Sequence, residues 1–225
     1  MQPISIVYQH TDFVIIDKPC GVSVHKDNNE TGLTQVVAAQ LGVPQVWLVH
    51  RLDKVTSGLL ILALNQDAAK TLALLFAEHQ IKKTYLAFST HKPKKKQGLV
   101  VGDMVKTRGG AWKLCPTKEN PAITRFYSLS CEPNLRLFIL MPQTGKTHQL
   151  RVAMKSLGSP ILGDTRYGSN TVNVDRTYLH AYRLQFTYQT QEIDIRCLPS
   201  GEWFHTIALE SLLANYESTQ TSTCF

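Results

Sequence analysis

The chain has 225 residues, 43% of them hydrophobic, which supports one sizeable core or two small ones. Its net charge of +7 is concentrated: between Lys82 and Lys118 there are ten Lys or Arg residues against one acid, Asp103, a basic patch that makes nucleic acid the leading partner class. The first residues lack a secretory signal, no apolar run approaches the roughly 18 residues of a membrane span, and five scattered cysteines with no Cys-x-x-Cys pair argue for reduced thiols in the cytoplasm and against structural zinc.

Ile4 to Tyr8 and Phe13 to Ile16 read as short strands, followed by a turn at Asp17-Lys18-Pro19-Cys20-Gly21. Leu33 to Leu41 reads as a helix stopped by Gly42 and Pro44. Ser57 to Leu64 is strand-like, and Gln66 to His79 is helical with Leu72, Leu75, Phe76 and His79 on one face. Thr84 to Phe88 is a strand. From His91 to Pro121 the chain is polar and basic with short possible strands, the least readable region. Ile123 to Cys131 and Leu135 to Leu140 form two strands joined at Glu132-Pro133-Asn134. Thr147 to Leu157 is helical, with Leu150, Met154 and Leu157 on one face and Gly158 as the stop. Tyr178 to Tyr188 and Gln191 to Cys197 resemble a hairpin, and Ile207 to Tyr216 reads as a last helix before a polar tail. Strands outnumber helices and run mostly consecutively, which argues for one α+β domain over a βαβ array.

The stretch His50-Arg51-Leu52-Asp53-Lys54-Val55-Thr56-Ser57-Gly58 places one carboxylate in a shaped loop directly before an apolar strand. Gly145-Lys146-Thr147 invites comparison with a phosphate-binding loop, but the glycine required five residues earlier is Leu140, so that reading fails.

The stretch from His50 to Gly58 resembles the signature of the RluA-type pseudouridine synthases, and further segments match that family in order. They are Asp17-Lys18-Pro19 with Gly21, Lys83-Thr84-Tyr85, the run from Pro142 to Val152, Gly158 to Asp164 with Tyr167-Gly168, and Leu179-His180-Ala181. Together they span roughly residues 10 to 205. The resemblance implies isomerisation of uridine to pseudouridine in ribosomal or transfer RNA, in a stem-loop, by a cytoplasmic monomer that needs no cofactor and no metal. It implies a mixed, mostly antiparallel bent sheet flanked by helices, with the site in a central cleft. On this reading residues 1–216 are the catalytic domain, residues 217–225 are a flexible tail, and no separate RNA-binding domain precedes the catalytic one.

By the same resemblance Asp53 is the catalytic carboxylate, whether it attacks the sugar, attacks the base or removes a sugar proton. Arg151 is the matching guanidinium, suited to grip a carboxylate with two donors, although an Asp–Arg pair alone reads as a structural salt bridge. Tyr85 is the ring that stacks on an extruded uracil, although strands are rich in core tyrosines. Arg51, two residues before Asp53, is associated with the RNA around the emptied stack. Lys83, Lys146 and the run Lys94-Lys95-Lys96 are candidates for phosphate contact. His50 is not assigned as a base. Asp164 reads as turn structure. Lys146 stands where the family more often has Arg, Ala153 where it often has His, and residues 90–117 match poorly. A non-catalytic RNA-binding or chaperone protein on the same fold is the alternative, and Asp53 argues against it, because a phosphate-binding surface gains nothing from a carboxylate. A glycosidase would need two paired acids, and one stands in a strong motif.

Overall fold

The computed structural model describes residues 3–24, 32–168, 174–200 and 208–221. In chain order they form β1 (Ser5–Gln9), β2 (Phe13–Lys18), α1 (Leu33–Leu41), β3 (Trp47–Leu48), β4 (Ser57–Ala63), α2 (Gln66–Ala77), β5 (Lys82–Ser89), β6 (Gln97–Lys106), β7 (Trp112–Cys115), β8 (Ala122–Glu132), β9 (Leu135–Pro142), α3 (Gln149–Ser156), β10 (Leu179–Tyr188), β11 (Gln191–Arg196) and α4 (Ala208–Thr221).

The most apolar run of the sequence becomes the middle of the sheet. Every residue of β4 is buried, as in a strand covered on both faces. The strands follow the order β1-β2-β4-β10-β5-β9-β8-β6-β7, with β11 on β10 and β3 on β4. Among these pairs β4 with β10 is parallel, through Ser57 opposite His180 and Gly58 opposite Ala181, and the others are antiparallel. The sheet is therefore mixed and mostly antiparallel. The seam is tight: Gly58 has φ +105°, and a Cβ there would lie 2.4 Å from the Ala181 carbonyl oxygen, so only glycine fits.

Two apolar clusters flank the sheet. Residues of α1, α2 and α3 join one, and Leu209 and Leu213 of α4 join the other. The alternation of β5 shows why both exist: Tyr85 and Ala87 belong to the first, Leu86 and Phe88 to the second. α2 is capped by Asn65, whose side chain accepts from Ala68 N at 2.8 Å.

Several expectations shift. α2 stops at Ala77, and His79 lies beyond it with φ +58°, so His79 is not on the helical face. Helical geometry begins at Gln149 and not at Thr147, because His148 takes a left-handed conformation. The unreadable stretch holds β6 and β7, which pair antiparallel. Residues 217–221, expected in the polar tail, continue α4, and Glu217 pairs with Arg183 at 3.6 Å and Arg196 at 2.9 Å. The expected helix start at Ile207 and residues 222–225 lie outside the described residues.

At the parallel seam His180 is 1% exposed. Its Nε2 faces the Cys197 carbonyl at 2.9 Å and its Nδ1 the Ser57 hydroxyl at 2.9 Å, so the neutral ring donates to the first and accepts from the second. Burial pulls its pKa down to about 4. An unfolded histidine titrates near 6.5, so between these values the unfolded chain binds a proton that the folded chain does not. The His180 contribution is full above that window and is lost as pH falls through it. Urea melts should show about 2 kcal/mol lost to His180 between pH 7 and pH 5. The His180→Gln variant, though less stable at pH 7, should show a correspondingly flatter pH dependence.

Candidate active site

Asp53 lies in the loop that leads from β3 into β4. Its backbone carbonyl accepts from Thr56 N at 3.0 Å, closing a turn, and the residue lines a cavity. The loop rests on the turn after β2. Lys18, the last residue of β2, is fully buried, and its Nζ donates to the carbonyls of Pro19 at 2.8 Å, Val22 at 2.8 Å and Lys54 at 3.4 Å. Gly21 N also donates to the Lys54 carbonyl, at 2.8 Å, and Cys20 Sγ to that of Val55, at 3.1 Å. Burial draws the Lys18 pKa down to about 8, against the opposing pull of Cys20 and Asp53. The Asp17-Lys18-Pro19-Cys20-Gly21 turn is thus a latch for the Asp53 loop.

α3 supplies Arg151, which is 6% exposed. The two-donor grip expected of this guanidinium is present, but on Asp164: Nε meets Oδ2 at 2.8 Å and Nη2 meets Oδ1 at 2.9 Å. Asp164 Oδ1 also accepts from the backbone of Arg166 at 3.0 Å and Tyr167 at 3.1 Å. Arg151 offers Asp53 only Nη1, at 3.4 Å from Oδ2. Burial opposes the charge on Arg151, but the hydrogen bonds and charges of Asp164 and Asp53 outweigh it and hold its pKa above the ordinary value. Asp53 Oδ1 has no hydrogen-bond partner among the described residues.

Asp53, Tyr85 and Arg151 line one cavity of about 410 Å³, and so do Arg51, Lys83 and Lys146. The volume suits a small-molecule-sized guest such as a single flipped nucleotide base. Tyr85 is 9% exposed and belongs to the apolar core while it also borders the cavity, so a place in the core does not take it away from the cavity wall. Burial, reinforced by the Asp53 charge, pushes its phenol pKa well above the ordinary value and keeps it neutral.

A family model described as RNA pseudouridylate synthase matches residues 12–156. The chain belongs to the RluA family of RNA pseudouridine synthases. It is 71% identical over 201 residues to an uncharacterized RNA pseudouridine synthase of Haemophilus influenzae, covering 89% of this chain and 90% of the relative. It is 34% identical to tRNA pseudouridine synthase C of Pasteurella multocida, covering 91% of this chain and 95% of that one. The structure of human RNA pseudouridylate synthase domain containing 1 superposes with a TM-score of 0.75 at 26% identity, covering 92% of this chain and 86% of that one.

The other residues of this pseudouridine synthase divide clearly. Arg51 is exposed at the cavity and bonds to no described residue. Lys83 lies 5.7 Å from the Phe76 ring centroid, and Lys146 Nζ donates to Asn120 Oδ1 at 2.5 Å. Lys94, Lys95 and Lys96 are exposed and line no part of the cavity; they follow the far end of β5 from Tyr85. His50 accepts from Ile61 N at 2.9 Å and stacks on Phe76 at 4.2 Å. Burial and the Lys83 charge lower its pKa to about 3, so it buttresses the loop as a neutral ring.

Among the described residues Asp17, His180 and Cys197 group their potential ligand atoms within 4.8 Å. They suit a metal poorly, because both His180 nitrogens are already bonded and the Arg176 charge acts on both Asp17 and His180.

Three residues of the synthase's site were missed in the sequence: Asp164 as the anchor of Arg151, Lys18 as the latch, and His148. The signal for each lay in a matched motif, but motif membership carried no geometry. Asp164→Ala should leave the Arg151 guanidinium buried without its main partner. A loss of about 3 kcal/mol in chemical denaturation is expected, together with loss of turnover as Arg151 rotates onto Asp53.

Proposed function

We propose that this enzyme isomerises a specific uridine of a structured RNA, with Asp53 as the catalytic carboxylate acting on a nucleotide flipped into the cavity. The supporting observation is the Asp53 carboxylate, held through one nitrogen at 3.4 Å by Arg151, which Asp164 already grips. In the reaction the bond from N1 to C1′ breaks, the uracil turns, C5 bonds to C1′, the C5 proton leaves to solvent and N1 takes up a proton in its place. Tyr85 offers its ring face to the flipped base. Arg51, Lys83 and Lys146 border the cavity as RNA contacts, and Lys94, Lys95 and Lys96 would meet phosphates farther from the target nucleotide. The enzyme would work as a monomer in the cytoplasm. Transfer RNA is the first substrate class to test, because the Pasteurella multocida relative that aligns over nearly its whole length is named for it. Ribosomal RNA is the second.

Mapping pseudouridines in total RNA with and without the gene identifies the target. Purified protein should then release tritium from 5-labelled uridine in that RNA. Asp53→Asn should bind the RNA yet lose at least about a thousandfold in rate; full turnover by that variant would remove Asp53 from the mechanism.

Tyr85→Leu keeps most of the buried apolar volume and removes the aromatic face. Turnover is expected to fall roughly tenfold or more, from lost stacking, with little change in melting temperature. A collapse in stability with no specific loss of activity would make Tyr85 a core residue only.

A further inference from the structure

His148 has one of four positive φ angles among the described non-glycine residues, at +58°, and it is at the cavity. Such backbone is uncommon for a residue with a side chain, and its appearance beside a site raises the question of what the ring does there. The hydrogen bonds answer for one nitrogen. His148 Nδ1 lies 2.7 Å from the Tyr167 hydroxyl, and that hydroxyl accepts from Trp112 N, in β7, at 3.0 Å. The Tyr167 hydroxyl already accepts from Trp112 N–H and keeps its own proton to donate, and His148 Nδ1 is the acceptor in reach, so donation to Nδ1 uses both capacities of the hydroxyl. The imidazole is then neutral, with its proton on Nε2. Burial, and the charges of Arg151 and Arg166 against those of Asp53 and Asp164, leave its pKa below the ordinary value. Tyr167 is itself 4% exposed and held beneath Arg151, whose guanidinium carbon is 5.0 Å from the ring centroid.

Nε2 has no partner among the described residues. His148 and Tyr85 both line the cavity, and of the two His148 is the more accessible, being only partly buried where Tyr85 is 9% exposed. A base resting on Tyr85 would leave its phosphate toward solvent, where His148 is the partly exposed donor. We propose that His148 Nε2–H donates to a phosphate oxygen of the target nucleotide, and that Tyr167 is the positioning residue that fixes this tautomer. The proposal rests on the reading of the cavity as the uridine site.

The test uses the RNA identified by mapping, made as a synthetic stem-loop, and initial rates of tritium release. His148→Gly suits the left-handed backbone and removes the ring without adding strain. It should raise KM about tenfold with kcat within about twofold. His148→Gln returns a donor near the Nε2 position and should recover most of the loss. Tyr167→Phe should raise KM in the native background and add nothing to His148→Gly. Replacing the phosphate of the target uridine by a methylphosphonate should raise KM for the native enzyme and leave His148→Gly nearly unaffected. Equal penalties on both enzymes would overturn the phosphate contact. A kcat loss with unchanged KM in His148→Gly would overturn the binding role. If native protein released no tritium from the mapped RNA, the reading of the cavity would fail before any claim on His148 arose.

Discussion

The site depends on how Arg151 divides its donors. A guanidinium buried to this extent needs carboxylate partners, because its charge has little water to lean on. Asp164 takes two of its nitrogens in a fork, and the two backbone N–H groups that also donate to Asp164 hold that carboxylate in turn. The pair is close to neutral as a unit. Asp53 then meets one nitrogen at 3.4 Å, a weaker contact than either bond in the fork. If Arg151 instead gripped Asp53 with both arms, the carboxylate would be charged but spent. Its orientation toward Asp164 leaves Asp53 next to a positive charge while one oxygen stays free.

The rest of the fold holds these two carboxylates in place. Asp164 sits in a turn whose entry, Gly163, has φ +75° and no room for a Cβ beside the Arg176 carbonyl. Asp53 sits in a loop clamped by Lys18, an amine that replaces water for three carbonyls at once. Lys18 pairs with Gly58 across the sheet, Gly58 with Ala181 and Ala181 with Tyr85. One row of the sheet therefore links the latch, the close-packed seam and the aromatic wall of the cavity. A loop carrying a catalytic group gains precision when it is pinned to a rigid element in this way.

How much of this the sequence disclosed follows from the kind of force involved. The continuous apolar run of β4 and the glycine after α1 reported themselves, because burial and left-handed backbone each restrict residue type. β6 did not: near the edge of the sheet it mixes exposed and buried positions with no clean period, and the basic segments on either side of it read equally well as loop. Asp53, Arg151 and Tyr85 were named from a resemblance and do share one cavity. Their contacts were not legible. Nothing in the spacing of Arg151 and Asp164 says that they form the fork, because two residues thirteen positions apart, one on a helix and one in the loop after it, can be arranged in many ways. Lys94, Lys95 and Lys96 show what a charge run leaves open: its sign favours phosphate wherever it falls, but only the structure shows that it follows the end of β5 and lines no part of the cavity.

The division of charge bears on chemistry as well as on stability. Arg151, Asp53 and Asp164 together sum to one negative charge if both acids are ionised. Burying a net charge is costly, yet this one lies at the side of a cavity open to a polyanionic guest. Lys83 and Lys146 border the same cavity, and they can offset the approach of a phosphate without touching Asp53. A uracil is neutral, and at Tyr85 it would find a ring that burial keeps protonated and uncharged. On the reading proposed above, the cavity would separate its tasks by electrostatics: cations toward the RNA backbone, a neutral aromatic face for the base, and a single carboxylate for the reaction. A group that both neutralised phosphate and held the carboxylate would have to trade one task against the other, and the fork between Arg151 and Asp164 removes that conflict.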